Sequence, residues 1–360
     1  MKTIAYYISD YGYGHATRST AIIRELVRQN ENVKIIICHS FALDFLHQSF
    51  RHEPCVEFRE VATDVGYVLK ENSLEPDNDV LNAKVSSYVS GFSIKLDQET
   101  QFMKEKNVSF VISDISPLGI ASAAALNIPS LGLSNFTWYT AYEELIEERL
   151  LSFLHEQYKQ MTYHFSLACS KEPHWDIEEN QNFGFYSRKI DQYEVQRIRK
   201  KIDPEGNSHI IYFGLGMKVD IGTLSELPIW QSPNCKFIVS SNVDVDHPDV
   251  YHIPKNAVET QHYVAAADLV LTKAGWGTIS EAVCAGVPLL ITNRSSMKED
   301  RHTIDYLVCH QLCDLIEWKE LESLVVTPSL IETCRRQNIN YYKNEAMYIA
   351  KEINKKIKST

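Results

Sequence analysis

The stretch that decides the fold is residues 268–292, DLVLTKAGWGTISEAVCAGVPLLIT. Its apolar start predicts a β-strand that runs into a tight turn at Gly275 and Gly277. A short helix is expected to open at Thr278 and to lead back into a second apolar strand. Unpaired backbone N–H groups and the helix dipole attract phosphate at such a helix start. The stretch therefore indicates a site for a nucleotide diphosphate.

The acidic residue one turn into this helix has two interpretations. Glu281 lies where an acidic side chain can bond to ribose hydroxyls, as it does in dinucleotide sites. Thr278 and Glu281 also have the spacing of a capping box, which satisfies the donors of a helix start without any ligand. The residues alone favour neither interpretation.

Composition describes an ordinary globular chain that is long enough for two α/β domains. The 360 residues include 36 basic and 47 acidic ones, and the net charge of −11 argues against nucleic acid as a partner. No apolar run approaches the roughly 20 residues of a membrane span. The N-terminus lacks the pattern of a signal peptide, so a cytoplasmic protein with eight reduced cysteines and no transmembrane segment is expected.

The N-terminal part of the chain predicts a strand, a glycine-containing loop, a helix and a second strand, the unit of a parallel doubly wound sheet. His15 is expected where this first helix begins, and the positive end of the helix would keep the imidazole neutral and able to accept a proton. A loop histidine that only caps the helix is the alternative.

Asp114 is predicted at the carboxyl end of a later strand, at the sheet edge that also carries His15. Its carboxylate could hold the imidazole, although a simple turn residue is an equal interpretation. Aromatic residues follow the next strand, in 134–142, and could stack on a sugar or an apolar acceptor. Aromatics in this position more often pack into the core.

A polar and charged segment between 165 and 207 reads as an interdomain connection, after which the strand and helix pattern restarts. Gly214 and Gly216 follow the first strand of this second unit. We therefore predict two doubly wound, Rossmann-like α/β domains that face each other across a cleft. The expected boundaries are 1–190 for an acceptor-binding domain, 191–338 for a nucleotide-sugar domain, and 339–360 for a terminal helix that packs back on the first domain.

Three motifs carry a resemblance to a known family: YGYGHATRS at 11–19, the segment 265–291, and the acidic pair Glu299-Asp300. Together they resemble the GT-B glycosyltransferases, in particular the group of the lipid-intermediate N-acetylglucosaminyl transferase of peptidoglycan synthesis. Segments 58–77 and 111–138 are similar to the transferase-like N-terminal region of plant L-arabinokinase. The glycine- and serine-rich loop of a kinase half is not seen, so kinase activity is not expected.

The resemblance implies a role for each matching residue. His15 matches the catalytic base and Asp114 an aspartate that supports it in some relatives. The donor-binding positions are Gly275, Gly277 and Thr278 for the diphosphate, Glu281 for the ribose, Glu299 and Asp300 for sugar hydroxyls, and Gly14, Gly214 and Gly216 in the glycine loops. Relatives have glutamine where this chain has Asp300, which leaves the donor sugar open.

These positions predict an inverting transfer of a hexose or N-acetylhexosamine from a nucleotide diphosphate sugar, with a UDP-sugar as the expected donor, to an unknown hydroxyl acceptor. The donor is a co-substrate, so no separate cofactor is expected. No metal is expected either, although the Asp244-Val-Asp246 pair is the alternative, because another glycosyltransferase fold uses Asp-x-Asp to bind a cation.

Two rival functions remain open. The pattern Gly12, Gly14, His15 and Arg18 also resembles nucleotide-sugar hydrolases of the pseudaminic-acid pathway, where the histidine would activate water. The region 64–101 is long enough for an acceptor pocket, which a hydrolase does not need. The other rival is a non-catalytic sensor of sugar nucleotides.

Overall fold

The computed structural model describes residues 1–71, 73, 75–175, 177–215, 224–293, 296–337 and 342–359. These described residues form two parallel β-sheets, one of seven strands and one of six, with helices between most successive strands. Two doubly wound α/β domains were predicted, and the structure confirms them.

The first domain is built from these strands and helices: β1 (Lys2–Ile8), α1 (Tyr13–Gln29), β2 (Val33–His39), α2 (Leu43–Ser49), β3 (Val56–Glu60), α3 (Asn78–Ser90), α4 (Phe92–Glu105), β4 (Val108–Asp114), α5 (Pro117–Ala125), β5 (Ser130–Ser134), α6 (Trp138–Ala141), α7 (Glu148–Tyr158), β6 (Tyr163–Ser166) and β7 (Glu179–Asn182). The strand order in the sheet is β3-β2-β1-β4-β5-β6-β7.

The second sheet and its helices follow along the chain: α8 (Gln192–Ile202), β8 (His209–Gly214), β9 (Cys235–Val239), β10 (Val250–His252), α9 (Gln261–Ala265), β11 (Leu269–Lys273), α10 (Trp276–Ala285), β12 (Leu289–Thr292), α11 (Lys298–Cys309), β13 (Asp314–Ile316), α12 (Trp318–Leu321), α13 (Pro328–Gln337) and α14 (Ala346–Ser359). Short 3₁₀ turns span Leu224–Glu226 and Pro228–Gln231. The strand order is β10-β9-β8-β11-β12-β13.

The central strands are apolar along almost their whole length because helices cover both faces of each sheet. In β1, the sequence KTIAYYI is buried from its second residue onward. Continuous apolar runs of this kind are typical of parallel sheets, whereas strands with one solvated face alternate in polarity.

The strand order places each domain's ligand edge. In the first sheet the order reverses between β1 and β4, and in the second it reverses between β8 and β11. Open α/β sheets bind ligands at such switch points, beyond the carboxyl ends of the strands. His15 follows β1 and Asp114 ends β4, while Gly214 ends β8 and α10 follows β11. The candidate residues of both domains therefore lie at the two switch points.

Some predicted elements differ from the structure. The polar segment read as a connection contains β7, with sequence ENQN, which pairs with β6 as the edge strand of the first sheet. The sequence gives no apolar pattern that would predict this strand, because an edge strand of this kind buries little apolar surface. The apolar spacing of 143–158 predicts one helix there, but this stretch contains a turn followed by α7.

The terminal helix starts later than residue 339, and residues 338–341 lie outside the described part of the chain. It starts at Ala346, whose N–H donates to the Asn344 side chain at 3.1 Å, an arrangement that favours a helix start.

Helix α14 packs against α1 of the first domain. Its apolar face is fully buried, and polar contacts flank it, since Gln29 Nε2 donates to the Met347 carbonyl at 3.0 Å and Asn30 Nδ2 to Asn354 Oδ1 at 3.2 Å. Helix α14 therefore packs on the first domain and helps to hold the two domains together.

We expect Ile353→Ala to lower the free energy of unfolding by about 2–5 kcal/mol, the usual cost of a cavity at a fully buried isoleucine. Urea unfolding measures this loss, and Lys351→Ala, on the exposed face of the same helix, is the matched control with a change below about 0.5 kcal/mol. Equal effects of the two variants would contradict the packing of α14.

Candidate active site

His15 and Asp114 are in direct contact at the switch point of the first sheet. Histidine Nδ1 lies 3.0 Å from Asp114 Oδ1, and both residues are buried. An ionised carboxylate only accepts hydrogen bonds, so Nδ1 carries the proton and Nε2 has the free lone pair. Nε2 has no hydrogen-bond partner among the described residues. The pair therefore presents a basic nitrogen to a ligand.

Arg18 and Ser19, one turn along α1, complete the surroundings of the aspartate. Arg18 Nε donates to Asp114 Oδ2 at 2.7 Å, its Nη2 donates to Oδ1, and Ser19 Oγ donates to Oδ2 at 2.9 Å. The remaining guanidinium nitrogen, Nη1, donates to Asn135 Oδ1 at 2.6 Å. Two buried opposite charges thus satisfy each other, which is the condition for burying either of them.

The protonation states follow from this packing. Burial acts to raise the pKa of the Asp114 carboxyl, but Arg18 and His15 outweigh it and hold that pKa below its ordinary value. Burial, together with the Arg18 charge, lowers the pKa of the His15 imidazole, while Asp114 acts in the opposite direction. The site at pH 7 therefore contains an ionised aspartate and a neutral histidine.

The backbone next to the aspartate is strained. Ile115 has φ = 58°, a left-handed conformation that β-branched residues rarely adopt. Its carbonyl accepts a hydrogen bond from Tyr158 Oη, which helps to hold the turn. Strain of this kind clusters at functional sites, where the surrounding structure fixes a side chain in an unusual place.

The start of α10 lies against the start of α1. A Cβ atom added to Gly277 would lie 3.5 Å from Gly14 Cα, so the two glycine-containing turns are in near contact across the domains. A Cβ at Gly14 would meet no atom within 4 Å, which leaves space beside that turn. Arg18 also bridges the domains, with its guanidinium carbon 5.2 Å from the centre of the Trp276 ring.

Neither helix start is neutralised by the described residues. Both helices begin after a glycine, Gly12 or Gly275, with no side-chain cap and no acidic residue in the first turn. The backbone N–H groups of 276–278 have no acceptor among the described residues. Two positive helix ends thus meet at one place, and an anion bound there would be stabilised by both.

The expected start of this second helix at Thr278 is wrong by two residues, because the helix begins at Trp276. Thr278 is the third helical residue, so the capping box with Glu281 does not form. Gly275, the residue before the helix, has no side chain that could cap it, and Gly277 in the first turn is the residue that lies close to Gly14. The structure therefore excludes the capping box of Thr278 and Glu281, and the start of α10 has no side-chain cap.

Glu281 is paired with an arginine that sequence reasoning did not find. Arg188 Nη2 donates to Glu281 Oε1 at 2.8 Å and also to Thr260 Oγ1 at 2.9 Å, and the Arg188 side chain is fully buried. Glu281 Oε2 has no partner among the described residues. One carboxylate oxygen thus remains for a ligand, while Arg188, in the connection between the domains, fixes the other.

The acidic pair of α11 points toward the first domain. Tyr67 Oη donates to Glu299 Oε2, and Asp300 is buried. Gly214 ends β8, and its carbonyl accepts a hydrogen bond from Thr272 Oγ1. Gly216, the other glycine expected in this loop, lies outside the described residues.

The aromatics of 134–142 mostly pack into the core, as the second of the two interpretations held. Phe136, Trp138 and Tyr142 are buried, and the Trp138 and Tyr142 rings stack with centroids 4.8 Å apart. Trp138 Nε1 donates to Asp64 Oδ2 at 2.8 Å, and burial raises the pKa of the Asp64 carboxyl to about 7. Phe136 and Trp138 therefore form an aromatic wall close to His15, whose ring lies 6.0 Å from that of Phe136.

Lys273 is a further residue that sequence reasoning missed. It ends β11, and its Cε lies 3.9 Å from where a Cβ on Gly275 would be, so the cationic side chain runs along the start of α10. A lysine directly after the strand of the stretch 268–292 was the available signal, since an ammonium group complements a phosphate site.

Within the described residues, no group of three or more His, Cys, Asp or Glu side chains is placed to hold a metal ion. Asp244 and Asp246 are both exposed, in the loop after β9. Over the same described ranges, none of the helices is long and apolar enough to cross a membrane.

Comparisons with known proteins agree with the fold of two α/β domains. Residues 2–158 match the family described as Glycosyl transferase family 1, and residues 238–359 match the Glycosyltransferase family 28 C-terminal domain. L-arabinokinase of Arabidopsis thaliana is 24% identical over 320 residues, which cover 85% of this chain and 30% of that protein. The chain thus spans less than a third of the length of this relative.

Two further comparisons cover nearly whole chains. An uncharacterized glycosyltransferase of Methanosarcina acetivorans is 21% identical over 309 residues, covering 80% of this chain and 78% of the relative. The solved structure of a UDP-glucosyltransferase from Polygonum tinctorium has a TM-score of 0.67 and 12% identity, covering 100% of this chain and 99% of that one. The first domain therefore matches Glycosyl transferase family 1 and the second the Glycosyltransferase family 28 C-terminal domain, and the chain has the GT-B fold of such glycosyltransferases.

Proposed function

We propose that the protein transfers a sugar from a nucleotide diphosphate sugar to a hydroxyl group of an acceptor. The observation that carries this proposal is the meeting of two uncapped helix starts, α1 and α10, beside the neutral His15. A diphosphate between them would receive backbone N–H groups and Lys273, and Glu281 Oε2 would bond to the ribose. UDP is the proposed nucleotide, because a UDP-glucosyltransferase shares the fold.

In this mechanism His15 Nε2 takes the proton of the acceptor hydroxyl. The acceptor oxygen forms a bond to the anomeric carbon, and the bond from that carbon to the diphosphate oxygen breaks. The electron pair leaves with the diphosphate, whose growing charge the amides of 276–278 stabilise. Asp114 stabilises the imidazolium through Nδ1. A single displacement inverts the anomeric centre and, in this scheme, uses no metal ion.

The acceptor would bind on the first domain, next to His15 and the aromatic wall. Glu299 and Asp300 would bind hydroxyl groups of a hexose or N-acetylhexosamine. Hydrolysis differs from transfer only in the nucleophile, so release of free sugar at full speed without any acceptor would favour the hydrolase over the transferase.

Replacement of His15 tests the proposed base. His15→Gln should lower the turnover of a UDP-sugar by about 10²–10⁴-fold, the usual contribution of a general base, while UDP binding is unchanged. His52→Gln, at an exposed histidine of the same domain, is the control and should keep full activity. The lowered pKa of His15 puts the acidic limb of kcat/KM below pH 6.5. A limb above pH 7, or an active His15→Gln variant, would contradict the assignment.

A negative charge placed at the start of α10 should have opposite effects on the stability of the free protein and on its affinity for UDP. Thr278→Asp should stabilise the free protein by about 0.3–1 kcal/mol, because it complements the helix dipole. The same variant should weaken UDP binding by about tenfold or more, since like charges ~4 Å apart repel by roughly 1–4 kcal/mol. Thr278→Asn has nearly the same shape without the charge, and it should do neither. Thermal melts and calorimetric titration with UDP measure the two effects; unchanged UDP affinity in Thr278→Asp would place the diphosphate elsewhere.

The Arg18 charge adds to burial in lowering the pKa of the His15 imidazole. Arg18→Met should raise the pKa of the imidazole, because the variant removes a neighbouring positive charge and leaves Asp114 to favour the imidazolium. It should also lower the free energy of unfolding by about 3–5 kcal/mol, since Asp114 stays buried without its partner. An NMR titration of the histidines gives the pKa, with Arg28→Met, at the exposed end of α1, as the control. A pKa that falls or does not move would refute this electrostatic account.

A further inference from the structure

The start of α11 packs against the first domain. Met297, just before this helix, is fully buried and belongs to the same apolar cluster as Tyr67, Trp138 and Tyr142. Ion pairs flank this contact, with Lys298 Nζ on Glu143 Oε2 and Arg301 Nη2 at 3.8 Å from Glu144 Oε2. These pairs are partly exposed, and pairs of that kind add little to stability.

The buried polar contact in this region joins Tyr67 to Glu299. Tyr67 is 3% exposed, and its Oη lies within hydrogen-bonding distance of both Glu299 Oε2 and the Ala141 carbonyl, the latter at 3.0 Å. A hydroxyl has one proton, and a carboxylate is a stronger acceptor than a neutral carbonyl. Burial, and then the Glu299 charge, raise the pKa of the Tyr67 hydroxyl, so it stays protonated and donates to the carboxylate.

We propose that Tyr67 is a positioning residue for the donor sugar, because it fixes the Glu299 carboxylate from the opposite domain. This inference rests on the proposed function, in which Glu299 binds sugar hydroxyl groups. Tyr67 belongs to the acceptor-binding domain, so its hydrogen bond to Glu299 forms only while the two domains are together. The sugar is therefore recognised through a contact that only the closed arrangement provides, whereas the diphosphate is bound by the starts of α1 and α10, without Tyr67.

Because Tyr67 acts on the sugar and not on the diphosphate, two ligands should respond differently to its replacement. The nucleotide UDP has no sugar and should not sense Tyr67, whereas a UDP-sugar should. A purely structural role of Tyr67 would change both affinities together. The difference between the two affinities is therefore the quantity to measure.

The test is Tyr67→Phe, which removes the hydroxyl and keeps the ring. Calorimetric titrations with UDP and with a panel of UDP-hexoses and UDP-N-acetylhexosamines should show an unchanged affinity for UDP. The UDP-sugar that binds the wild type most tightly should bind about tenfold more weakly to the variant, as expected when a hydrogen bond to a charged group is lost. The donor KM should rise by the same factor, with a smaller change in kcat.

Tyr142→Phe is the matched control. Tyr142 lies in the same cluster, with its ring 5.7 Å from that of Tyr67, and its hydroxyl donates to the Gly66 carbonyl at 2.8 Å instead of to a donor-binding residue. It should leave both affinities unchanged. In a Glu299→Gln background, Tyr67→Phe should have little further effect, because the two residues act as one unit.

Three results would overturn the inference: an unchanged UDP-sugar affinity in Tyr67→Phe, an equal loss for UDP and UDP-sugar, or an equal effect of Tyr142→Phe. None of these three results contradicts the proposed function as long as the wild type binds both UDP and a UDP-sugar. A wild type that binds neither UDP nor any UDP-sugar would instead contradict the proposed function, and this inference with it.

Discussion

The two domains meet where two helices begin, and this meeting is the constraint on which the site depends. Each helix start carries about half a positive charge, and two such ends repel when they are brought together without an anion. The chain still places Gly14 and Gly277 in near contact and provides neither start with a cap or an acidic residue. An arrangement that costs energy when empty is explained by a ligand that carries negative charge.

In the same region, His15 stays a neutral base although it lies beside two ionised side chains. Asp114 and Arg18 are both buried and ionised, yet they cancel each other through paired hydrogen bonds, so the pocket has no net charge near the imidazole. His15 then stays neutral because of its burial, while Asp114 selects the tautomer with a free Nε2. A base next to a diphosphate needs this combination, since a charged histidine would pair with the phosphate instead of accepting a proton.

Sequence reasoning reached the fold because the signals are local. Apolar strands alternate with helices, and Gly275 and Gly277 mark the turn after a strand. It placed His15 and Asp114 at one sheet edge because parallel strands end together. It could not find Arg188 or Tyr67, whose partners, Glu281 and Glu299, lie 93 and 232 residues away. It also misjudged the start of α10, because the spacing of Thr278 and Glu281 suggests a capping box, whereas the helix begins after Gly275, which has no capping side chain.

The central claim concerns the place of one anion, so a crystal structure of the protein with UDP and an unreactive UDP-sugar analogue tests it most directly. The account predicts diphosphate oxygens about 3 Å from the backbone nitrogens of 276–278, at hydrogen-bonding distance. It also predicts that the anomeric carbon faces His15 Nε2. A diphosphate bound away from both helix starts, or an anomeric carbon on the far side from His15, would contradict it.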